Sequence, residues 1–195
     1  MHNCYEKKVI AAKNPKEKLS LKDIVKEYKE KYRQLRTDEL IYFKKLTSEE
    51  SIKIASSGKC ENKKKHPHQK RLKSSALENG SNVLCSNSKE LTIYKDFDKL
   101  QSTVKRLIDG NKTKNPDTTG LGPLYIYDTS LRIASKLDIA PNFVYLHAGA
   151  LEGAGKLLRI RVKTEKLEIN KFPEEFKELE AHEIENLLCL YKDNF

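Results

Sequence analysis

The chain has 195 residues, a formal net charge of +10, 34% charged against 37% hydrophobic residues, and no tryptophan. Such a composition supports one real but thin core. It leaves no apolar run near the roughly 20 residues that a bilayer-crossing helix needs. An excess of lysine and arginine attracts polyanions and favours phosphate contacts.

In chain order, residues 1–19 read as a polar, basic arm, and residues 20–195 as a single helical domain. Ser20-Leu21-Lys22-Asp23 resembles a capping box. It opens an amphipathic stripe of Leu21, Ile24, Val25, Tyr28, Tyr32 and Leu35. Thr37 is expected to cap a short helix carrying Leu40, Ile41 and Phe43. Thr47-Ser48-Glu49-Glu50 starts another, which Gly58 stops. Residues 59–73 form a basic loop, followed by a helix over Gln69–Glu78 that Asn79-Gly80 ends. A further helix begins near Ser88 or Asp96, aligns Phe97, Leu100, Val104, Leu107 and Ile108, and stops at Asp109-Gly110-Asn111. A loop leads to a turn and helix over 120–137, which Pro141-Asn142 breaks. Phe143–His147 reads as a strand or a helix start, and residues 157–170 alternate as a strand pair would. Pro173 opens a last helical region with Ile184, Leu187, Leu188 and Tyr191 on one face. The fold class is mainly α: a multi-helix domain with at most one short β-hairpin.

Cys4, Cys60, Cys85 and Cys189 are widely spaced, and the N-terminus lacks the apolar stretch of a signal peptide. A cytoplasmic protein with reduced thiols is the expectation. Cys60, His66, His68 and Cys85 match no standard zinc spacing, and the last helix lacks an HExxH pattern, so no metal site is assigned.

The most specific local pattern is Gly120-Leu121-Gly122, between the helix near 96–108 and the one near 124–137. Both glycines permit positive φ and bring backbone close to a ligand. Leu121 would lock the turn onto the core. The amides before and around Leu124 would collect partial positive charge at a helix N-terminus, a phosphate site without base contacts. Pro123 suits the first helical position.

Thr119-Gly120-Leu121-Gly122 and the helix after it resemble the helix-hairpin-helix element of DNA repair glycosylases and other DNA-binding proteins, here over residues 96–137. The resemblance implies phosphate binding at Gly120, Leu121, Gly122 and Leu124, and allows a monovalent cation at the turn but no other cofactor. It also implies a catalytic aspartate in a Val-Asp-Thr-His-like stretch; here Val144-Tyr145-Leu146-His147 carries Tyr145 in that place, and Leu124 stands where bifunctional members carry lysine.

Two further groups complete the candidate site. Lys64, Lys65, His66, His68, Gln69 and Arg71 supply phosphate contacts, and the two histidines flanking Pro67 offer an acid–base pair. Asp128 and Arg132 are spaced i, i+4 and can pair along one helix face, or face a pocket with Tyr125, Tyr127, Tyr145 and His147. The leading expectation is a nucleic-acid-binding protein, with double-stranded DNA as partner and no membrane. The alternatives are a glycosylase-like enzyme on nucleic-acid bases, with Asp128, Tyr145 and His147 catalytic, and a phage or defence-related module that binds a protein partner.

Overall fold

A computed structural model describes residues 19–113 and 115–195; of the expected N-terminal arm only Leu19, an exposed side chain, lies within them. The fold is mainly α. The helices are α1 (Leu21–Tyr28), α2 (Gln34–Lys45), α3 (Ser48–Ser56), α4 (Ser74–Ser86), α5 (Ser88–Leu91), α6 (Phe97–Lys112), α7 (Pro123–Lys136), α8 (Ala148–Leu158) and α9 (Ala181–Leu190). Two short strands, β1 (Phe143–Tyr145) and β2 (Lys166–Glu168), pair antiparallel, with Val144 opposite Leu167. Among the described residues no helix is long and apolar enough to cross a membrane.

Within residues 20–195, expected as a single helical domain, the fold has two compact units. The first comprises residues 37–140. The second combines residues 19–36 with residues 141–195. In the first unit, α7 packs against α3 and α6, and α4 packs against α3 and α6. Its core is built from Phe43, Ile52, Leu84, Phe97, Leu100, Val104, Leu121, Tyr125 and Tyr127, all nearly or fully buried. In the second unit α8 lies against α9. Ile24, Tyr28, Val144, Leu146, Phe176, Ile184, Leu187 and Leu188 form its core.

Local chemistry accounts for most boundaries. Ser20 accepts from the Asp23 amide and starts α1. Thr47 and Glu50 form a reciprocal capping box at α3. Gly58 follows that helix at φ 64°, the left-handed conformation that ends it. Asp96 caps α6 by accepting from Lys99 N.

Other boundaries depart from the sequence expectation. Thr37 caps nothing: a five-residue π-helical stretch, Lys29–Arg33, joins α1 to α2, and Thr37 lies inside α2. The helix expected over Gln69–Glu78 is a short 3-10 turn, Pro67–Gln69, and then α4, which runs through Gly80. Gly80 serves packing rather than termination. A Cβ there would stand 2.6 Å from Leu121 Cδ1 and 2.8 Å from the Tyr125 hydroxyl. Gly110 likewise lies within α6 and does not end it. The alternating stretch 157–170 does not pair with itself. Its first residues close α8, and only Lys166–Glu168 form a strand, paired with β1. Gly149 and Gly153 explain that helix. A Cβ at Gly153 would lie 2.3 Å from the Leu188 carbonyl oxygen, so the glycines let α8 approach α9 closely.

Cys85 and Cys189 are free thiols. Cys60 is disulfide-bonded, which departs from the expectation of reduced thiols.

Candidate functional site

The histidine segment is shaped by proline and by Gly58. Pro67 occupies the first position of its 3-10 turn, and His66 precedes it in extended conformation as the cap, its Nδ1 accepting from His68 N at 3.2 Å. The His66 amide donates to the Gly58 carbonyl at 2.7 Å. Gly58 also makes room for Gln69: a Cβ there would meet Gln69 Cβ and Cγ at 3.2 Å. His66 and Gln69, expected among the phosphate contacts, therefore turn inward and are 1% and 2% exposed.

They meet the buried face of α7. Asp128 and Arg132 stand one turn apart there, each 1% exposed. They do not hydrogen-bond to each other as the i, i+4 spacing predicts; each has another partner. Asp128 Oδ2 accepts from Gln69 Nε2 at 2.9 Å and lies 3.0 Å from His68 Nδ1. Arg132 Nε donates to Glu39 Oε1 of α2 at 2.9 Å, and its Nη2 lies 2.8 Å from the same oxygen. The guanidinium sits 5.6 Å from the Phe43 ring centre. His66 Nε2 completes the chain at 3.7 Å from Glu39 Oε1, and the two imidazole rings meet edge to face at 4.7 Å.

This network sets the charge states. Burial, and then the Arg132 guanidinium, push His66 down to about 3, so its imidazole is neutral at pH 7. Burial of the Asp128 carboxyl works against its charge, but the charge and hydrogen bond of His68 and the charge of Arg132 prevail. They hold the group well below the usual carboxylate range. The result is a desolvated carboxylate with an imidazole fixed on one oxygen, the arrangement that orients a general base or a metal ligand.

The glycine turn lies at the other end of α7. Leu121 is fully buried, as a locking residue should be, while Gly120 is exposed and Gly122 half-buried. Neither glycine uses positive φ: Gly122 caps α7 at φ −91°, ψ −170°, which is extended backbone. Nothing lies within 4 Å of a Cβ built on Gly122, no side chain caps the helix, and Pro123 takes the first position. The turn follows a 3-10 segment, Pro116–Gly120, rather than α6 directly. Leu124 is half-buried behind Pro123.

Lys64, Lys70 and Arg71 are exposed. Lys65 is half-buried, and its Nζ donates to the Leu72 carbonyl at 2.9 Å, so it staples the segment together. Of the tyrosines expected around Asp128, Tyr125 and Tyr127 have other neighbours. Tyr125 donates to the Ser56 carbonyl, and Tyr127 is buried edge-on against Phe97. Tyr145 and His147 belong to the second unit, where Lys166 Nζ lies 5.9 Å from the Tyr145 ring centre and His147 Nε2 is 3.6 Å from Glu185 Oε1. The expected catalytic trio of Asp128, Tyr145 and His147 is thus divided between two units. Sequence reasoning passed over Glu39, whose only signal was its place as the second of two adjacent acids, Asp38 and Glu39, before an apolar pair in a helix.

No family model matches this chain, and neither the curated proteins nor the solved structures contain a significant relative.

Proposed function

We propose that the protein binds nucleic acid, duplex DNA in the first instance, by gripping phosphates with the first turn of α7 and the basic segment beside it. One observation carries this reading. Leu72 Cδ2 lies 3.8 Å from the position a Cβ would take on Gly120, so the segment bearing Lys64, Lys70 and Arg71 runs up against the glycine turn. The uncapped amides of Leu124 and Tyr125 and these exposed cations then act on one ligand. The net charge of +10 supports the same reading.

Anisotropy titrations of a labelled duplex across salt concentrations test it. Wild-type affinity is expected to fall steeply with salt. Lys64→Glu with Arg71→Glu should lower the slope of log affinity against log salt by about 0.9 per lost phosphate contact. Gly122→Asp should weaken binding by placing a carboxylate at the helix N-terminus. Unchanged affinity at low salt in both variants refutes the reading.

A second reading, an enzyme acting on nucleic acid, is favoured by the buried charged network in the same unit, where Asp128 orients His68 as it would a general base. Base release or strand cleavage that His68→Ala abolishes supports it. Inert wild-type protein on damaged duplexes overturns it.

A further inference from the structure

We propose that His66, His68 and Asp128 form a binding site for one divalent first-row transition-metal ion. The proposal does not rest on nucleic-acid binding. Each of the three residues offers one ligand atom, and these atoms all lie within 4.8 Å of one another. His68 Nδ1 and Asp128 Oδ2 are already 3.0 Å apart. Two ligands on a tetrahedral ion, with bonds of about 2.0–2.1 Å, stand roughly 3.4 Å apart, so this pair is close to the required edge length. The remaining distances, at most 4.8 Å, must contract by up to about 1.4 Å on binding.

A second observation points to a ligand. Asp128 Oδ1 is buried and makes no hydrogen bond among the described residues, although the carboxylate is fully enclosed. A buried carboxylate oxygen left in that condition is costly unless something cationic approaches it. Arg132 lies one turn away and its charge favours the ionised carboxyl, but its Nε and Nη2 face Glu39 and it makes no hydrogen bond to Oδ1.

The donor set defines the class of ion. Two imidazoles and one carboxylate suit zinc, ferrous iron, cobalt or nickel. Magnesium and calcium prefer all-oxygen sites. An outer layer is present too. Gln69 Nε2 donates to Asp128 Oδ2 at 2.9 Å, and His66 Nε2 faces Glu39 Oε1 at 3.7 Å, so that His66 ligates through Nδ1 by releasing the hydrogen bond it accepts from the His68 amide. The His68 side chain keeps 29% exposure, which gives an ion a route from solvent. Three protein ligands leave a coordination position open for water or a substrate oxygen.

Proton balance follows from the geometry. The ion takes the place of the proton between His68 Nδ1 and Asp128 Oδ2, and that proton moves to His68 Nε2 or leaves to solvent. Cys60 and Cys85, weighed with the histidines in the sequence, are not in the group.

The test uses the full chain, stripped with chelator and titrated with Zn2+ by calorimetry and with Co2+ by visible absorption. The expected result is one ion per chain and a cobalt spectrum without sulfur charge-transfer bands. Both should persist in a Cys85→Ser/Cys189→Ser variant. His68→Ala should weaken binding by at least the 10- to 100-fold typical of losing even an outer partner, and Gln69→Ala by about that range. Asp128→Asn should do the same. Should it fail to fold, His68→Ala, on a partly exposed side chain, decides the question. No stoichiometric uptake by wild type overturns the proposal, as does His68→Ala protein that binds equally well.

Discussion

Acidification provides a direct reading of how His66 is held. Its pKa is lowered from the ordinary 6.5 to about 3 by burial and by Arg132. Below pH 6.5 the unfolded chain takes up a proton on this ring while the native chain does not. Stability is therefore fully present above 6.5 and is lost as pH falls toward 3, beyond which both states are protonated. From pH 6.5 to pH 4 the unfolded state gains about 1.4 kcal/mol per pH unit, so this one ring accounts for about 3 kcal/mol of lost stability. His182, lowered to about 4 by burial and by Arg36, acts in the same direction in the second unit. A difference measurement separates the two. Urea unfolding at several pH values, for wild type and for His66→Gln, should give curves that converge by about 3 kcal/mol as pH drops, because the variant keeps only the His182 contribution. Curves that run parallel between pH 7 and pH 4 would show that His66 titrates normally. The account of a neutral, desolvated imidazole between Glu39 and Arg132 would then be wrong.

Two further perturbations probe the frame around the site. Glu39→Ala strands the buried Arg132 guanidinium and should cost about 3 kcal/mol in urea unfolding; adding Arg132→Met should recover much of that. A single-variant loss under about 0.5 kcal/mol refutes the pairing. Gly153→Ala and Gly110→Ala should have opposite signs. The first drives a methyl to within 2.3 Å of the Leu188 carbonyl oxygen, and overpacking of about 1–3 kcal/mol exceeds the helix-propensity gain of about 1 kcal/mol. The second enters open space within α6 and should stabilise by about 0.5–1 kcal/mol. Equal signs refute the close approach of α8 to α9.

Caps and stripes were legible because they are local. Ser20, Thr47 and Asp96 accept from amides three residues on, and the expected helix starts stand there, as the expected stop does at Gly58. Glycines were the main source of error. Gly80 and Gly110 read as stops, yet both lie inside helices. Gly80 is there because Leu121 and Tyr125 come too close for a Cβ, as Leu188 does at Gly153, whereas Gly110 has no such neighbour. That proximity is tertiary, and composition does not carry it. The site was half legible for the same reason. His66, His68, Gln69, Asp128 and Arg132 stood out as residue types, but their pairing depends on α7 turning Asp128 toward residues 66–69 and Arg132 toward α2. The spacing rule for helix neighbours instead paired Asp128 with Arg132. Glu39 carried no local signal at all.

The inward and outward faces of residues 63–73 bear on each other. Burying Asp128, Arg132 and Glu39 brings little net stability, because apolar replacements of similar volume often fold as well or better. A charged cluster of this kind is where perturbed groups with chemical roles concentrate. It also fixes the segment: His66 N on the Gly58 carbonyl, Gln69 on Asp128, and Lys65 on the Leu72 carbonyl hold three successive points. Lys64, Lys70 and Arg71 consequently project from a backbone already in place. Cations on an ordered backbone lose less conformational freedom on meeting a phosphate chain than the same cations on a loose loop. On the proposed binding reading, loosening the inward cluster should weaken the outward grip, which would make the buried network part of the proposed binding surface rather than a neighbour of it.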